Sequence, residues 1–419
     1  MKFNTLLLHD NVVRDEKTGA TLTPIYQSSA FSYKTAEELE KVFQHTQPGF
    51  SYTRINNPTV EAFEKRITAL EGGLASVACS SGMAAITNAI LNIVGAGDEI
   101  ISGSGIFGGT IDLYQDLENF GIHTVYVTTG TPQEYESKIT EKTKLIFAEV
   151  IGNPKLDVLD IEAIAEVAHR HNLPFLVDNT TATAFLVKPL KLGADIVINS
   201  SSKYINGSGN SISGIITDGG KFKWDYTRYS GLVKYKKFGP LQYIAKLRND
   251  IFRNTGACLA PFNAYLNLLG LETLGIRMER ICNNTLALAK YLQSNQYIKI
   301  VNYPGLESSP WHEVAKKQLK GYYGGILTFR AGTKENAYRI MNHLKYAIIA
   351  PNIGDTKLLL IHPASTIYLN STPEGRLHAG VYDDLVRVSV GLEDIEDILE
   401  DFQQAINESR SFNMEIGGR

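Results

Sequence analysis

From Pro58 onward the chain alternates two periodicities. Apolar residues three and four apart mark helices, and short β-branched runs mark strands, the pattern of an α/β domain built around a mostly parallel sheet. Thr59 to Glu71 carries Val60, Phe63, Ile67 and Leu70 on one face and stops at Gly72-Gly73, which predicts a helix. A strand at Ala75 to Cys79, a turn at Ser80-Ser81-Gly82 and a helix over Met83 to Ile93 follow. Further strands are expected at Glu99 to Ser102, Thr124 to Val127, Lys144 to Val150, Pro174 to Val177 and Asp195 to Ile198, with Ile212 to Thr217 running back across them. After Gly256 the texture changes. Pro261 to Asn295 reads as one long amphipathic helical region, kinked at Gly270 or Gly275. A smaller α/β unit then has strands at Ile298 to Asn302, Gly325 to Phe329, Ala347 to Ala350, Leu358 to Ile361 and Val386 to Val390. Its helices are expected at Trp311 to Leu319, Lys334 to Leu344 and Ile395 to Ile406. Residues 1–57 have little periodicity, carry Pro24 and Pro48, and read as an extended arm held by a neighbouring subunit. The expected organisation is an arm (1–57), a large domain (58–256), and a linking helix with a small C-terminal domain (257–419).

Composition narrows the partners. A chain of 419 residues exceeds one ordinary core. Hydrophobic residues at 43% and charged residues at 20% are ordinary for a globular protein, and a net charge of −3 offers nucleic acid no attractive field. Cys79, Cys258 and Cys282 are widely spaced and match no metal-ligand pattern, so no metal site is expected and a reducing, cytoplasmic setting is. The apolar run at the amino terminus is too short for a signal peptide, and no segment stays apolar for about 18 residues, so no membrane association is expected.

The chemistry centres on Lys203. It follows the strand Asp195-Ile-Val-Ile through Asn199-Ser200-Ser201-Ser202 and precedes Gly207-Ser208-Gly209. A lysine at a strand end among hydroxyls suits Schiff-base chemistry with a phosphorylated aldehyde. An earlier strand, Leu173-Pro-Phe-Leu-Val177, ends in Asp178-Asn179, where a carboxylate would keep the pyridine nitrogen of pyridoxal phosphate protonated. Each element alone is common. In this order they point to a pyridoxal-phosphate enzyme. Ser81-Gly82-Met83 opens a helix whose free N–H groups can seat a phosphate, with Ser200 and Ser202 adding hydroxyls. By itself a Ser-Ser-Gly run is an ordinary turn. Tyr52-Thr53-Arg54, in the arm, offers a guanidinium fork for phosphate and a phenol for the reacting carbon. Phe107, in Gly105-Ile-Phe-Gly-Gly-Thr110, can stack on a flat ring or plug a core. Asn153 precedes Pro154, either as a turn residue or as a donor to the cofactor's phenolic oxygen or a substrate carboxylate. Arg387 sits in the apolar strand Leu385-Val-Arg-Val-Ser-Val390, and a buried guanidinium needs an anion: a substrate carboxylate or an internal Asp or Glu. His362, alone at a strand end, reads as a satisfied structural group.

Taken together, Tyr52-Thr-Arg54 with Asn57-Pro58, Ser81-Gly82-Met83-Ala-Ala, Phe107-Gly-Gly-Thr110, Val177-Asp178-Asn-Thr180, Ser202-Lys203-Tyr204, His362-Pro-Ala-Ser365 and Arg387-Val-Ser-Val-Gly391 closely resemble the Cys/Met-metabolism family of pyridoxal-phosphate enzymes, almost end to end. The resemblance implies an aminotransferase-like fold of type I. Within the family, Gly152 to Ile161, Thr255 to Ala264 and Asn352 to Lys357 resemble the O-acetylhomoserine sulfhydrylases. Asn352 stands where γ-lyases and cystathionine synthases typically carry Ser, and Gly109 stands where methionine γ-lyases carry a reactive cysteine. The implied reaction joins O-acetyl-L-homoserine to sulfide or a small thiol. Its implied groups are Lys203 as cofactor anchor and proton shuttle, Asp178 at the ring nitrogen, and Arg387, Asn352 and Asn153 at the substrate carboxylate. Tyr52 and Arg54 would come from the adjacent subunit of a dimer, paired into a tetramer. The alternatives are a cystathionine γ-synthase or γ-lyase on the same scaffold, or a non-catalytic relative. Phe107 replaces the Tyr of most relatives, and Ser208 the His of many sulfhydrylases.

Overall fold

The computed structural model describes residues 1–417 apart from positions 14, 16 and 104, with side chains up to residue 409. The last two residues of the expected small domain lie outside the described residues. Two sheets organise the chain. The larger has seven strands, β1 (Ala75–Cys79), β2 (Glu99–Ser102), β3 (His123–Tyr126), β4 (Thr143–Glu149), β5 (Phe175–Asp178), β6 (Ile196–Asn199) and β7 (Gly214–Asp218). Their spatial order is β1-β7-β6-β5-β4-β2-β3. Strands β3, β2, β4, β5 and β6 run parallel, whereas β7 lies antiparallel to both β6 and β1. This is the expected α/β class, a mostly parallel sheet with one strand running back.

The central strands are buried on both faces, so they read as continuous apolar runs rather than alternating ones. Ile146, Ala148, Phe175, Val177 and Val197 pack into one core, and Leu145, Phe147, Leu176, Ile196 and Ile198 into the other, on the opposite face. Each such aliphatic or aromatic side chain contributes about 1.5–3 kcal/mol by leaving water.

Helix boundaries follow local chemistry. Helix α3 (Pro58–Glu71) starts with the Asn57 side chain accepting from the Thr59 N–H at 2.9 Å and with Pro58 in its first turn, and it stops at Gly72 in the left-handed region. Helix α4 (Gly82–Leu91) is capped by Ser81, whose hydroxyl accepts from the Ala84 N–H at 3.0 Å. Helix α5 is Gly108–Glu118, entered from Phe107 without a side-chain cap.

The N-terminal segment is not extended throughout: it holds α1 (Phe3–His9) and α2 (Ala36–Phe43). Two turns of helix are too short to show a period, and α1 is held by tertiary packing, with Leu7 buried in the same core as Phe63 of α3. The long helical region is two helices, Pro261–Glu272 and Leu274–Ser294, broken at Thr273 rather than at either glycine. Both glycines serve close approach instead. A Cβ on Gly270 would meet the Asn206 carbonyl at 2.3 Å, and one on Gly275 the Asn4 side chain at 1.8 Å.

The second sheet has β8 (Ile300–Asn302), β9 (Ile326–Arg330), β10 (Ile348–Ile349), β11 (Leu359–Ile361) and β12 (Leu385–Ser389), in the order β10-β11-β12-β9-β8. Only β10 and β11 pair in parallel. Its core includes Leu288, Leu292, Phe329, Val386, Val388 and Phe402. Among the described residues, no helix is long and apolar enough to cross a membrane.

Candidate active site

In a parallel sheet the carboxyl ends of the strands leave backbone and side-chain groups free for a ligand. Here β4, β5 and β6 end at Glu149, Asp178 and Asn199, and a turn from Ser200 to Gly207 continues from β6. That turn closes on itself, the Lys203 N–H donating to the Ser200 carbonyl at 3.2 Å and the Gly207 N–H to the Lys203 carbonyl at 2.8 Å. Glu71, at the end of α3, accepts from Asn199 Nδ2 at 2.9 Å and from Asn179 Nδ2 at 3.2 Å, which ties the ends of β5 and β6 together. The strand ends frame a cavity of about 380 Å³.

Ten of the residues singled out in the sequence line it: Ser81, Gly82, Met83, Phe107, Asn153, Asp178, Ser200, Ser202, Lys203 and Arg387. They come from both sheets and from loops far apart in the chain. Lys203 Nζ donates to Asn352 Oδ1 at 2.6 Å. Burial, and then the charge of Arg387, lower the Lys203 ammonium to about 8, so a neutral amine is accessible near physiological pH. Burial raises the Asp178 carboxyl, and hydrogen bonds from Thr180 pull it back, its N–H donating to Oδ1 at 2.8 Å.

Of the two anions the sequence left open for Arg387, the internal acid is not found among the described residues. Arg387 is buried in β12, and desolvation lowers it to about 10, with Tyr204 and Tyr368 opposing. Nη1 donates to Asn153 Oδ1 at 3.2 Å and Nη2 to the Asn352 carbonyl at 3.1 Å, while Nε has no partner among the described residues. A buried cation with spare donors is a site for an anionic ligand.

Other residues are placed less simply. The Ser81 hydroxyl is engaged in capping α4, and the Ser202 hydroxyl donates to the Ser213 carbonyl at 3.0 Å and accepts from its N–H at 2.8 Å. Tyr52 and Arg54 do not line the cavity. Tyr52 is 43% exposed, and Arg54 lies 5.5 Å from its ring centroid and donates to the Arg253 carbonyl at 2.7 Å. His362 is buried and satisfied, with Ser365 Oγ and the Asp383 carbonyl each at 2.8 Å. Sequence reasoning missed Glu149, Thr180, Thr181, Ile212 and Ile353, which also line the cavity. Glu149 ends β4 as Asp178 ends β5, so the rule that found one could have found the other.

These residues fit pyridoxal phosphate. A Cβ on Gly82 would meet Ser200 Oγ at 2.7 Å, so the start of α4 and the turn after β6 approach as closely as a phosphate cup requires. Asp178 supplies a carboxylate, Lys203 an amine of lowered basicity, and Phe107 an aromatic face.

Comparison with known proteins agrees. The pattern of the Cys/Met metabolism PLP-dependent enzymes matches residues 4–407. The chain is 42% identical to the homocysteine synthase of Schizosaccharomyces pombe, over 96% of this chain and 98% of that one. It is 41% identical to the O-acetyl-L-homoserine sulfhydrylase of Corynebacterium glutamicum, over 96% of each. Its fold matches the crystal structure of a Campylobacter jejuni protein described as an O-acetylhomoserine (thiol)-lyase, which carries N′-pyridoxyl-lysine-5′-monophosphate; the TM-score is 0.91 at 34% identity, covering 97% of this chain and 100% of that one. With that fold, this cavity and a match over nearly its whole length, the chain belongs to the Cys/Met metabolism PLP-dependent enzymes.

Proposed function

We propose that the protein replaces the acetate of O-acetyl-L-homoserine with sulfide or a small thiol, giving L-homocysteine or its S-alkyl derivative. The carrying observation is the charge content of the cavity. Among the described residues its lining holds two cations, Lys203 and Arg387, and only Arg387 is free to clamp a carboxylate if Lys203 anchors the cofactor. Met83, Ile86, Ile212, Ile353 and Ile367 make much of the remaining wall apolar, which suits a substrate with one carboxylate and an uncharged ester. The names of the two relatives described above support the same reaction.

Pyridoxal phosphate, when bound, supplies an electron sink for a carbanion at the substrate Cα. The chain's residues do the rest. Asp178 would hold a proton on the ring nitrogen, Phe107 would cover the ring face, and Ser81, the N–H groups of Gly82 and Met83, and Ser200 would hold the phosphate, the Ser202 hydroxyl being spent on Ser213. Arg387, with Asn153 and Asn352, orients the substrate carboxylate. Lys203 would anchor the cofactor and, once freed, move protons at the substrate Cα and Cβ; its lowered basicity suits it to accept them near neutral pH. Asn352 Oδ1 steadies Nζ between transfers. Tyr52, exposed, and Arg54, half-buried, lie outside the cavity of their own chain and would complete the neighbouring subunit's site in a dimer that pairs into a cytoplasmic tetramer.

The test gives the purified, cofactor-saturated protein O-acetyl-L-homoserine with and without sulfide and quantifies homocysteine, acetate, 2-oxobutyrate and ammonia. Sulfide-dependent homocysteine equal to acetate supports the reading. Formation of 2-oxobutyrate and ammonia regardless of sulfide replaces it with a γ-lyase.

A further inference from the structure

Two carboxyls stand side by side in the cavity wall. Glu149 ends β4, Asp178 ends β5, and the two are register partners in adjacent parallel strands. Both line the cavity, and the reaction outlined above uses only Asp178. Like charges held this close cannot both ionise freely, so the environment decides which one keeps the proton. Asp178 receives hydrogen bonds from Thr180 that favour its anion. Among the described residues Glu149 accepts one hydrogen bond, from the Phe107 N–H at 2.5 Å, and no cation offsets its burial. The groups coupled to its charge are Asp178 on β5, Asp157 in the loop after β4, Tyr114 on α5 and Tyr368, and none of them is cationic. Burial and the charge of Asp178 hold Glu149 well above the usual carboxylate range.

The hydrogen bond to Phe107 gives the neutral acid a task. Phe107 immediately precedes α5, its ring is 37% exposed, and its side chain does not cap the helix. Glu149 Oε1 ties this backbone to the end of β4, one strand from Asp178. We propose that Glu149 is a positioning residue, whose Oε1 fastens the Phe107 backbone to the carboxyl end of β4, beside Asp178, and so fixes the ring that covers the cofactor. This rests on the assignment of Phe107 and Asp178 to the cofactor. It does not depend on which substrate is turned over.

The test measures affinity for pyridoxal phosphate itself, by titrating the apoenzyme and following circular dichroism in the cofactor's visible band. Glu149→Ala should weaken binding about tenfold and reduce the visible signal, as one buried hydrogen bond is lost. Phe107→Ala should do the same. The double variant should be no more than about twofold worse than the poorer single one, because Glu149 acts through Phe107. Glu149→Gln keeps a neutral carbonyl acceptor and should recover affinity to within about threefold of the parent. Multiplied losses in the double variant would overturn the proposal. A Glu149→Gln protein as weak as Glu149→Ala would do so too, by showing that the charge matters. If Glu149→Ala does not fold, Glu149→Gln decides alone: a tenfold loss of affinity, or a shift of about one unit in the pH midpoint of the visible spectrum, rejects a neutral hook. Substrate assays do not enter these outcomes, so a different reaction would leave them standing.

Discussion

Arg277 and Arg387 are two buried guanidiniums without a carboxylate partner among the described residues, and burial lowers both to about 10. Their surroundings differ. Arg277, on the helix Leu274–Ser294, donates Nη1 to the Tyr204 carbonyl at 2.7 Å, Nη2 to the carbonyls of Gly270 at 2.7 Å and Ile205 at 3.3 Å, and Nε to Thr273 Oγ1 at 3.1 Å. It spends its donors on the backbone that follows Lys203. Arg387 makes two long hydrogen bonds and, among the described residues, leaves Nε unpaired at the edge of the cavity. Burial and lowered basicity therefore do not mark a binding residue. Unspent hydrogen-bonding capacity facing a cavity does, because a buried donor without a partner costs about 1–3 kcal/mol until a ligand accepts from it.

The largest effect belongs to the lysine that both arginines flank. Lys203→Ala should abolish homocysteine synthesis, and full turnover by that variant would remove the basis for the whole site. Next is Arg387→Met, which should lower kcat/KM for O-acetyl-L-homoserine by roughly a hundredfold or more, because two charge-assisted contacts to the carboxylate are lost. Its melting temperature should hold or rise, since an unneutralised buried charge is removed. A large drop in melting temperature with little kinetic change would reverse the comparison. Arg277→Met should show that opposite pattern. Orphaning the carbonyls of Tyr204, Ile205 and Gly270 should cost about 3 kcal/mol in stability, read by thermal melting, with KM within about threefold of the parent.

A smaller, pH-dependent effect sharpens the contrast. Capture of pyridoxal phosphate by the apoenzyme needs the neutral Lys203 amine, so its rate should rise with pH and reach half its maximum near 8. For an unperturbed lysine the half-maximum would lie near 10.4. Arg387 contributes to that depression, whereas Arg277 does not. Arg387→Met should therefore move the midpoint upward, and Arg277→Met should leave it in place. Stopped-flow absorbance across pH 6 to 10 measures both.

Legibility of the fold followed locality. The strand Ala75–Cys79 and the strand Glu99–Ser102 lie where the apolar runs predicted them, and α3 stops at the Gly72 that ended its apolar period, because periods and stop signals are written within a few residues. The break at Thr273 was not legible. Two glycines nearby looked like better hinges, and only the neighbouring chain at Asn206 and Asn4 shows why glycine is needed there. The site divides in the same way. Lys203, Asp178 and the Ser81-Gly82 turn were recognisable because each sits at a strand end beside residues suited to a phosphate or a ring. Glu149 was open to the same strand-end rule, but its hydrogen bond to the Phe107 N–H and its place beside Asp178 exist only in the folded chain.

The sequence by itself determined the α/β class, the order of the strands along the chain, and the residue types for a phosphorylated aldehyde cofactor. Only the tertiary structure decided that Lys203 meets Asn352, that Arg387 meets no acid among the described residues, and that Tyr52 and Arg54 lie outside their own chain's cavity. The physical reason is range: propensity and capping act over a turn or a strand, whereas the hydrogen bonds from Arg387 to Asn153 and from Lys203 to Asn352 exist only once the two sheets have packed against each other.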